Sequence, residues 1–122
     1  MVHFLVPPGG GPVPHVHLRD EEVFFIASGK SSFWSDGAIL EGEAGDAAVL
    51  PRQIIHAFRN RSDEPTEFIT VCTPAGFDEF VRRSGQPARA GEQPPAPDDA
   101  EKKRLVENST AFGVDMHPEV TW

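Results

Sequence analysis

Proline and glycine punctuate this chain so closely that little of its first hundred residues leaves room for a long helix. Twelve of the 122 residues are proline, about twice the usual share, and eleven are glycine. Each proline removes a backbone donor and fixes φ, and each glycine favours a turn. What lies between them is rich in β-branched and aromatic residues, which suits strands. The segments "VHFLV" (2–6), "VFFIAS" (23–28), "SSFW" (31–34), "AIL" (38–40), "AAVL" (47–50), "IIHAFRN" (54–60) and "TEFITVC" (66–72) read as strands. "SDG" at 35–37 and "AGD" at 44–46 read as turns. The pattern predicts an all-β fold, with the early strands in a closed or sandwiched antiparallel sheet.

After residue 73 the pattern changes. "PAGFDEFVRRSG" (74–85) starts with proline, ends with glycine and spaces Phe77, Phe80 and Val81 for one helical face. A short helix is expected, with Phe77 and Phe80 laid on the sheets. The stretch 86–97 carries four prolines and reads as an extended tether. "DDAEKKRLVENS" (98–109) reads as a second helix with acids at its start and a thin apolar stripe at Leu105 and Val106. The remaining residues, 110–122, carry no assignable element. The expected layout is thus a β core over 1–73 and a helical extension over 74–122, packed as one domain.

Charge narrows the partners. The net charge is −8, so nucleic acid and anionic membranes are not expected. No run approaches the roughly 20 apolar residues of a membrane helix, and the N-terminus lacks the basic region of a signal peptide. A soluble, cytoplasmic protein is the expectation. The single cysteine, Cys72, rules out an internal disulfide framework; it reads as a buried strand residue, since nothing around it would activate a nucleophile.

Chemistry concentrates in "PHVHLRDEEVFFIASG". Residues two apart on a strand share a face, so His15 and His17 project together. Further on, Glu22, Phe24 and Ile26 share one face, while Glu21, Val23 and Phe25 share the other. A glutamate leading an apolar face is costly unless paired or bound to a cation, but periodicity does not choose between Glu21 and Glu22. His56 is a further candidate, with Ile54, Phe58 and Asn60 on its face. His3 reads as structural, and His117, just before Pro118, as exposed.

"GGGPVPHVHLRDEEVFFIASG" follows the first cupin motif, G(X)5HXH(X)3,4E(X)6G, at Gly9, His15, His17, Glu22 and Gly29. "GDAAVLPRQIIHAFRN" follows the second, G(X)5PXG(X)2H(X)3N, at Gly45, Pro51, His56 and Asn60, with Gln53 where the motif has glycine. The chain therefore resembles the single-domain cupins, whose fold is a small jelly-roll or β-barrel. The resemblance implies that His15, His17, Glu22 and His56, rather than Glu21, hold one divalent metal inside the barrel. Three imidazoles and a carboxylate suit iron, manganese, nickel, cobalt or zinc better than calcium or magnesium. Strand alternation places Phe24, Ile26 and Phe58 as pocket residues, which favours a largely apolar, aromatic small-molecule substrate, and the resemblance adds an enolisable or phenolic group. The layout after residue 73 resembles the small cupins related to quercetin 2,3-dioxygenase. That likeness implies a metal-dependent dioxygenase, with Glu22 as both ligand and proton acceptor. A Lewis-acid cyclase, isomerase or lyase, or a binding cupin without turnover, are the alternatives. The resemblance also implies a homodimer, which would cover the face bearing Val23 and Phe25.

Overall fold

The computed structural model describes residues 1–92 and 95–122. Among the described residues nine strands and two helices follow one another: β1 (Val2–Val6), β2 (His15–His17), β3 (Glu21–Ser28), β4 (Lys30–Ser35), β5 (Ala38–Glu43), β6 (Ala47–Leu50), β7 (His56–Arg59), β8 (Thr66–Thr73), α1 (Phe77–Ser84), α2 (Asp99–Ala111) and β9 (Val114–Met116). The strands form two antiparallel sheets. One has the order β1-β8-β3-β6, the other β5-β4-β7-β2-β9. The expected all-β class with short C-terminal helices is what the chain adopts.

Alternation explains the core. On β3, Glu22, Phe24 and Ile26 are buried while Phe25 is exposed. Val6, Phe24, Ile26, Phe33, Leu50 and Phe68 form one apolar cluster. The phenylalanine rings meet edge to face, with centroids 5.6 Å apart for Phe24 and Phe68 and 5.2 Å for Phe58 and Phe68. Such offsets suit the ring quadrupole.

The turns obey local chemistry. Asp36 and Gly37 both take positive φ, 48° and 83°, which fits the tight hairpin between β4 and β5. Gly29 has φ 80°, and a Cβ there would sit 2.6 Å from the Pro65 carbonyl oxygen, so a side chain is barred on both counts. Asn60 is fully buried. Its Nδ2 donates to the Val6 and Glu64 carbonyls at 3.0 and 2.7 Å, and its Oδ1 accepts from the Ser62 N–H. The motif asparagine thus ties the β7–β8 turn to β1.

Three expectations need correction or refinement. The seventh strand begins at His56, because residues 52–54 form a turn; Ile54 is not a strand face-mate of His56. The C-terminal segment is not purely helical. Val114–Met116 joins the second sheet as its edge, with Met116 opposite His15 and Val114 opposite His17. The second helix runs to Ala111 and opens on a capping box, Asp98 and Glu101 each bonding the other's backbone N–H at 2.8 and 2.9 Å. Part of the tether expected over 86–97, namely 93 and 94, lies outside the described residues.

Candidate metal centre

The two sheets bring four side chains to one point. β2 supplies His15 and His17, and its ladder with β7 sets His15 opposite His56. Glu22 comes from the facing sheet, where β3 pairs it with Leu50 on one side and Cys72 on the other. One ligand atom from each of His15, His17, Glu22 and His56 lies within 4.8 Å of all the others, and all four residues are buried. Glu21 is only half-buried and stands on the opposite face.

Backbone contacts fix the imidazoles. Nδ1 of His15 lies 2.9 Å from the Val13 carbonyl oxygen, and Nδ1 of His56 lies 3.0 Å from that of Ile54. A carbonyl only accepts, so each Nδ1 carries the proton and each Nε2 turns a lone pair inward. Nε2 of His56 then lies 3.2 Å from Glu22 Oε2, and Nε2 of His17 lies 3.5 Å from the same oxygen. A lone pair facing a carboxylate across that distance is repulsive unless a cation stands between them. Both ring nitrogens of His17 are buried without a hydrogen-bond partner, although the Asp20 carboxylate stands 3.7 Å from its Nδ1. An unpaired buried polar atom is costly. A divalent ion held by the four residues would remove the repulsion and give the Nε2 of His17 a partner. The residues present fit a metal.

The electrostatics agree. Burial, and next the neighbouring His56, push His15 down to about 4 from the ordinary 6.5. Burial lowers His17 as well. Burial on its own would raise Glu22, but a hydrogen bond from His56 Nε2 and the charges of the histidines when protonated hold it below the ordinary carboxylate value; a cation at the centre would take the place of those protons. Neutral imidazoles and an ionised carboxylate are the states a metal requires.

A cavity of about 160 Å³ opens beside this cluster, lined by His15, His17 and Glu22 at one end. Phe24 and Phe58 lie on its wall, as alternation suggested. Ile26 does not; it points to the same side of β3 but sits deeper, 1% exposed, within the core cluster. Alternation assigns a face, not a depth along the strand. The helices add residues the strand reading missed. The Phe77 ring lies 5.4 Å from that of His17, and Phe80 is buried against Phe112 with centroids 5.8 Å apart. Cys72 was also missed as a neighbour: it is half-buried, and its thiol donates to Glu22 Oε1 at 3.5 Å. Burial and the Glu22 carboxylate push that thiol's pKa up, which agrees with an unreactive cysteine. The face shared by Glu22 and Cys72 in the β3–β8 ladder is the one signal that could have found it. His3 is exposed and paired with Glu67, and His117 is half-buried beside Glu119; neither joins the cluster.

Gln53 occupies the glycine position of the second motif without displacing the site. It adopts φ 65°, the left-handed conformation glycine would provide. Its N–H donates to the His17 carbonyl at 2.8 Å, so the turn steadies the ligand strand.

Comparison with known proteins follows the same lines. Residues 2–72 match a family described as "Cupin domain". The quercetin 2,3-dioxygenase of Bacillus subtilis is 29% identical over 106 residues, covering 87% of this chain but 31% of that protein. This chain thus spans about a third of that relative's length. Among solved structures, a Cupin 2 conserved barrel domain protein from Salinispora arenicola is 30% identical, with a TM-score of 0.55 over 66% of this chain and 68% of its own. A sugar phosphate isomerase of the cupin superfamily from Silicibacter pomeroyi is 26% identical, with a TM-score of 0.55 over 60% of this chain and 48% of its own. The match over more than half the chain, on two antiparallel sheets that gather the motif residues at one point, places it: this chain belongs to the cupin family.

Proposed function

We propose that this cupin is a metal-dependent dioxygenase of the quercetinase-like kind, acting on an enolisable or phenolic small molecule. His15, His17, Glu22 and His56 would hold one divalent ion of iron, manganese, nickel, cobalt or zinc. The observation that carries the reading is the buried cluster of three imidazoles and one carboxylate at the end of a phenylalanine-lined cavity. When bound, such an ion supplies Lewis-acid polarisation of a substrate oxygen and a meeting point for dioxygen. The chain does the rest. Phe24, Phe58 and Phe77 keep the wall apolar and exclude water. Glu22 takes the substrate's enol or phenol proton on its carboxylate. The Cys72 thiol on Oε1 orients that carboxylate while it does so.

The test is oxygen uptake. Protein stripped with a chelator and reloaded with each metal in turn is assayed against flavonols, single-ring enols and 1,3-diketones. Uptake that requires both metal and Glu22 supports the reading; no uptake with any metal refutes dioxygenase chemistry. A second reading, a Lewis-acid cyclase, isomerase or lyase, draws on the Silicibacter isomerase. Turnover under strictly anaerobic conditions would favour it.

Two further features belong with this reading. Leu5, Phe25, Val49 and Val71 are exposed on the outer face of the β1-β8-β3-β6 sheet. An apolar face of this kind supports the expected homodimer, which sedimentation would test. No helix among the described residues is long and apolar enough to cross a membrane; a cytoplasmic location remains part of this proposal.

A further inference from the structure

We infer that the site selects a substrate of one ring, or a short chain of similar bulk, that presents a single enol or phenol head and no other polar group. This rests on the proposed metal-dependent function for the head group alone; the size and polarity limits come from the cavity. Its volume is about 160 Å³, and a cavity of about 150 Å³ lined by aliphatic and aromatic residues holds one benzene. A flavonol has three rings, is larger than that space, and would have to reach out through its open side, leaving apolar rings uncovered.

Polarity narrows the class further. Apart from His15, His17 and Glu22, every residue lining the cavity is apolar. No lysine, arginine, serine or asparagine lines it among the described residues, so a phosphate, a second carboxylate or a ring hydroxyl away from the metal end finds no partner. Sugar phosphates are thereby disfavoured.

The size limit has an identifiable cause. A second, outer groove of about 350 Å³ lies between α1 and α2. Phe4, Phe77, Phe80 and Leu105 line both spaces, so these side chains partition them. Phe80 is the most buried of the four, at 8% exposure, and its removal would join the groove to the cavity.

Three probes share one 3-hydroxy-4-pyranone head and separate the variables. Maltol is a single ring, kojic acid adds a hydroxymethyl group to a single ring, and 3-hydroxyflavone adds two aromatic rings. Their binding to Co(II)-loaded protein is read from the cobalt absorption spectrum, which needs no turnover. In the wild type, maltol should bind at least about tenfold tighter than either of the others. In Phe80→Ala the preference over 3-hydroxyflavone should narrow at least about fivefold, while the preference over kojic acid persists. Phe77→Ala, at a half-buried position, repeats the size test should Phe80→Ala fold poorly. Equal binding of maltol and 3-hydroxyflavone by the wild type would overturn the inference, as would an unchanged size preference in both variants. Oxygen uptake is scored separately. Absence of uptake with bound maltol counts against dioxygenase chemistry and leaves the size limit standing.

Discussion

The two ends of the cavity are built on different physics. The metal end is fixed by β ladders and backbone hydrogen bonds. His15 and His56 face each other in register, and the Val13 and Ile54 carbonyls set their tautomers. The helical end is held mainly by side-chain packing: Phe77 on His17, Phe80 on Phe112, and Leu105 at the margin. Neither helix adds a backbone ladder to the barrel. Directional bonds orient His15 and His56 as coordination demands, while the ring of His17 rests against Phe77. Apolar packing tolerates repacking, which suits a surface that sets substrate range. Under the proposed function, chemistry would belong to the fixed end and selectivity to the adaptable end.

That contrast can be broken in order of expected effect. His56→Ala should remove most of the bound metal, as read by elemental analysis of purified protein, with little change in far-UV circular dichroism. Phe77→Ala should leave metal content unchanged and alter only substrate range. If His56→Ala kept its metal, or Phe77→Ala lost it, the two ends would not be distinct.

Acid should act on the fixed end. His15 is neutral in the folded chain down to about pH 4, whereas unfolded histidine titrates near 6.5. Between those values the unfolded chain binds a proton that the folded chain refuses. Stability is therefore full above about 6.5, falls as pH drops through the window and is lost below 4. At 1.36 kcal/mol per pKa unit the loss from this residue is about 3 kcal/mol. Urea unfolding of metal-free protein at pH 7 and pH 4.5 should show most of it. Substitution of His15 by asparagine should flatten the slope, and Phe77→Ala should not.

Phe80→Ala should cost about 3 kcal/mol, the lower part of the range for buried aromatic truncation, because Phe80 stands at the rim rather than the centre of the core. Thermal unfolding at constant pH measures this. The smallest effect belongs to Gln53→Gly. Relief of the left-handed strain at φ 65° is partly offset by the greater freedom of an unfolded glycine. A stabilisation under about 1 kcal/mol, with metal content unchanged, is expected; a marked loss of metal would make Gln53 more than a turn residue.

Legibility in the sequence follows the same divide. Strand alternation alone put His15 and His17 on one face; the resemblance to the two cupin motifs chose Glu22 over Glu21 and joined His56 to them, and the sheets bring all four together. The pocket could be read only in part. Alternation put Phe24 and Phe58 on the right side, but the depth of Ile26 depends on how the sheets close. Cys72 lies fifty residues from Glu22 in the chain, and only register makes them neighbours. Val114–Met116 is too short to show a period, and its pairing with β2 is entirely long-range. Phe77 and Phe80 announced a helical face, yet nothing in their spacing said that the helix would roof the site.

Anomalous diffraction from crystals loaded with one equivalent of zinc or manganese probes the centre most directly. The account predicts one strong peak per chain, within bonding distance of imidazole nitrogens of His15, His17 and His56 and of a Glu22 carboxylate oxygen. A peak elsewhere, or none among these four side chains at full loading, would contradict it.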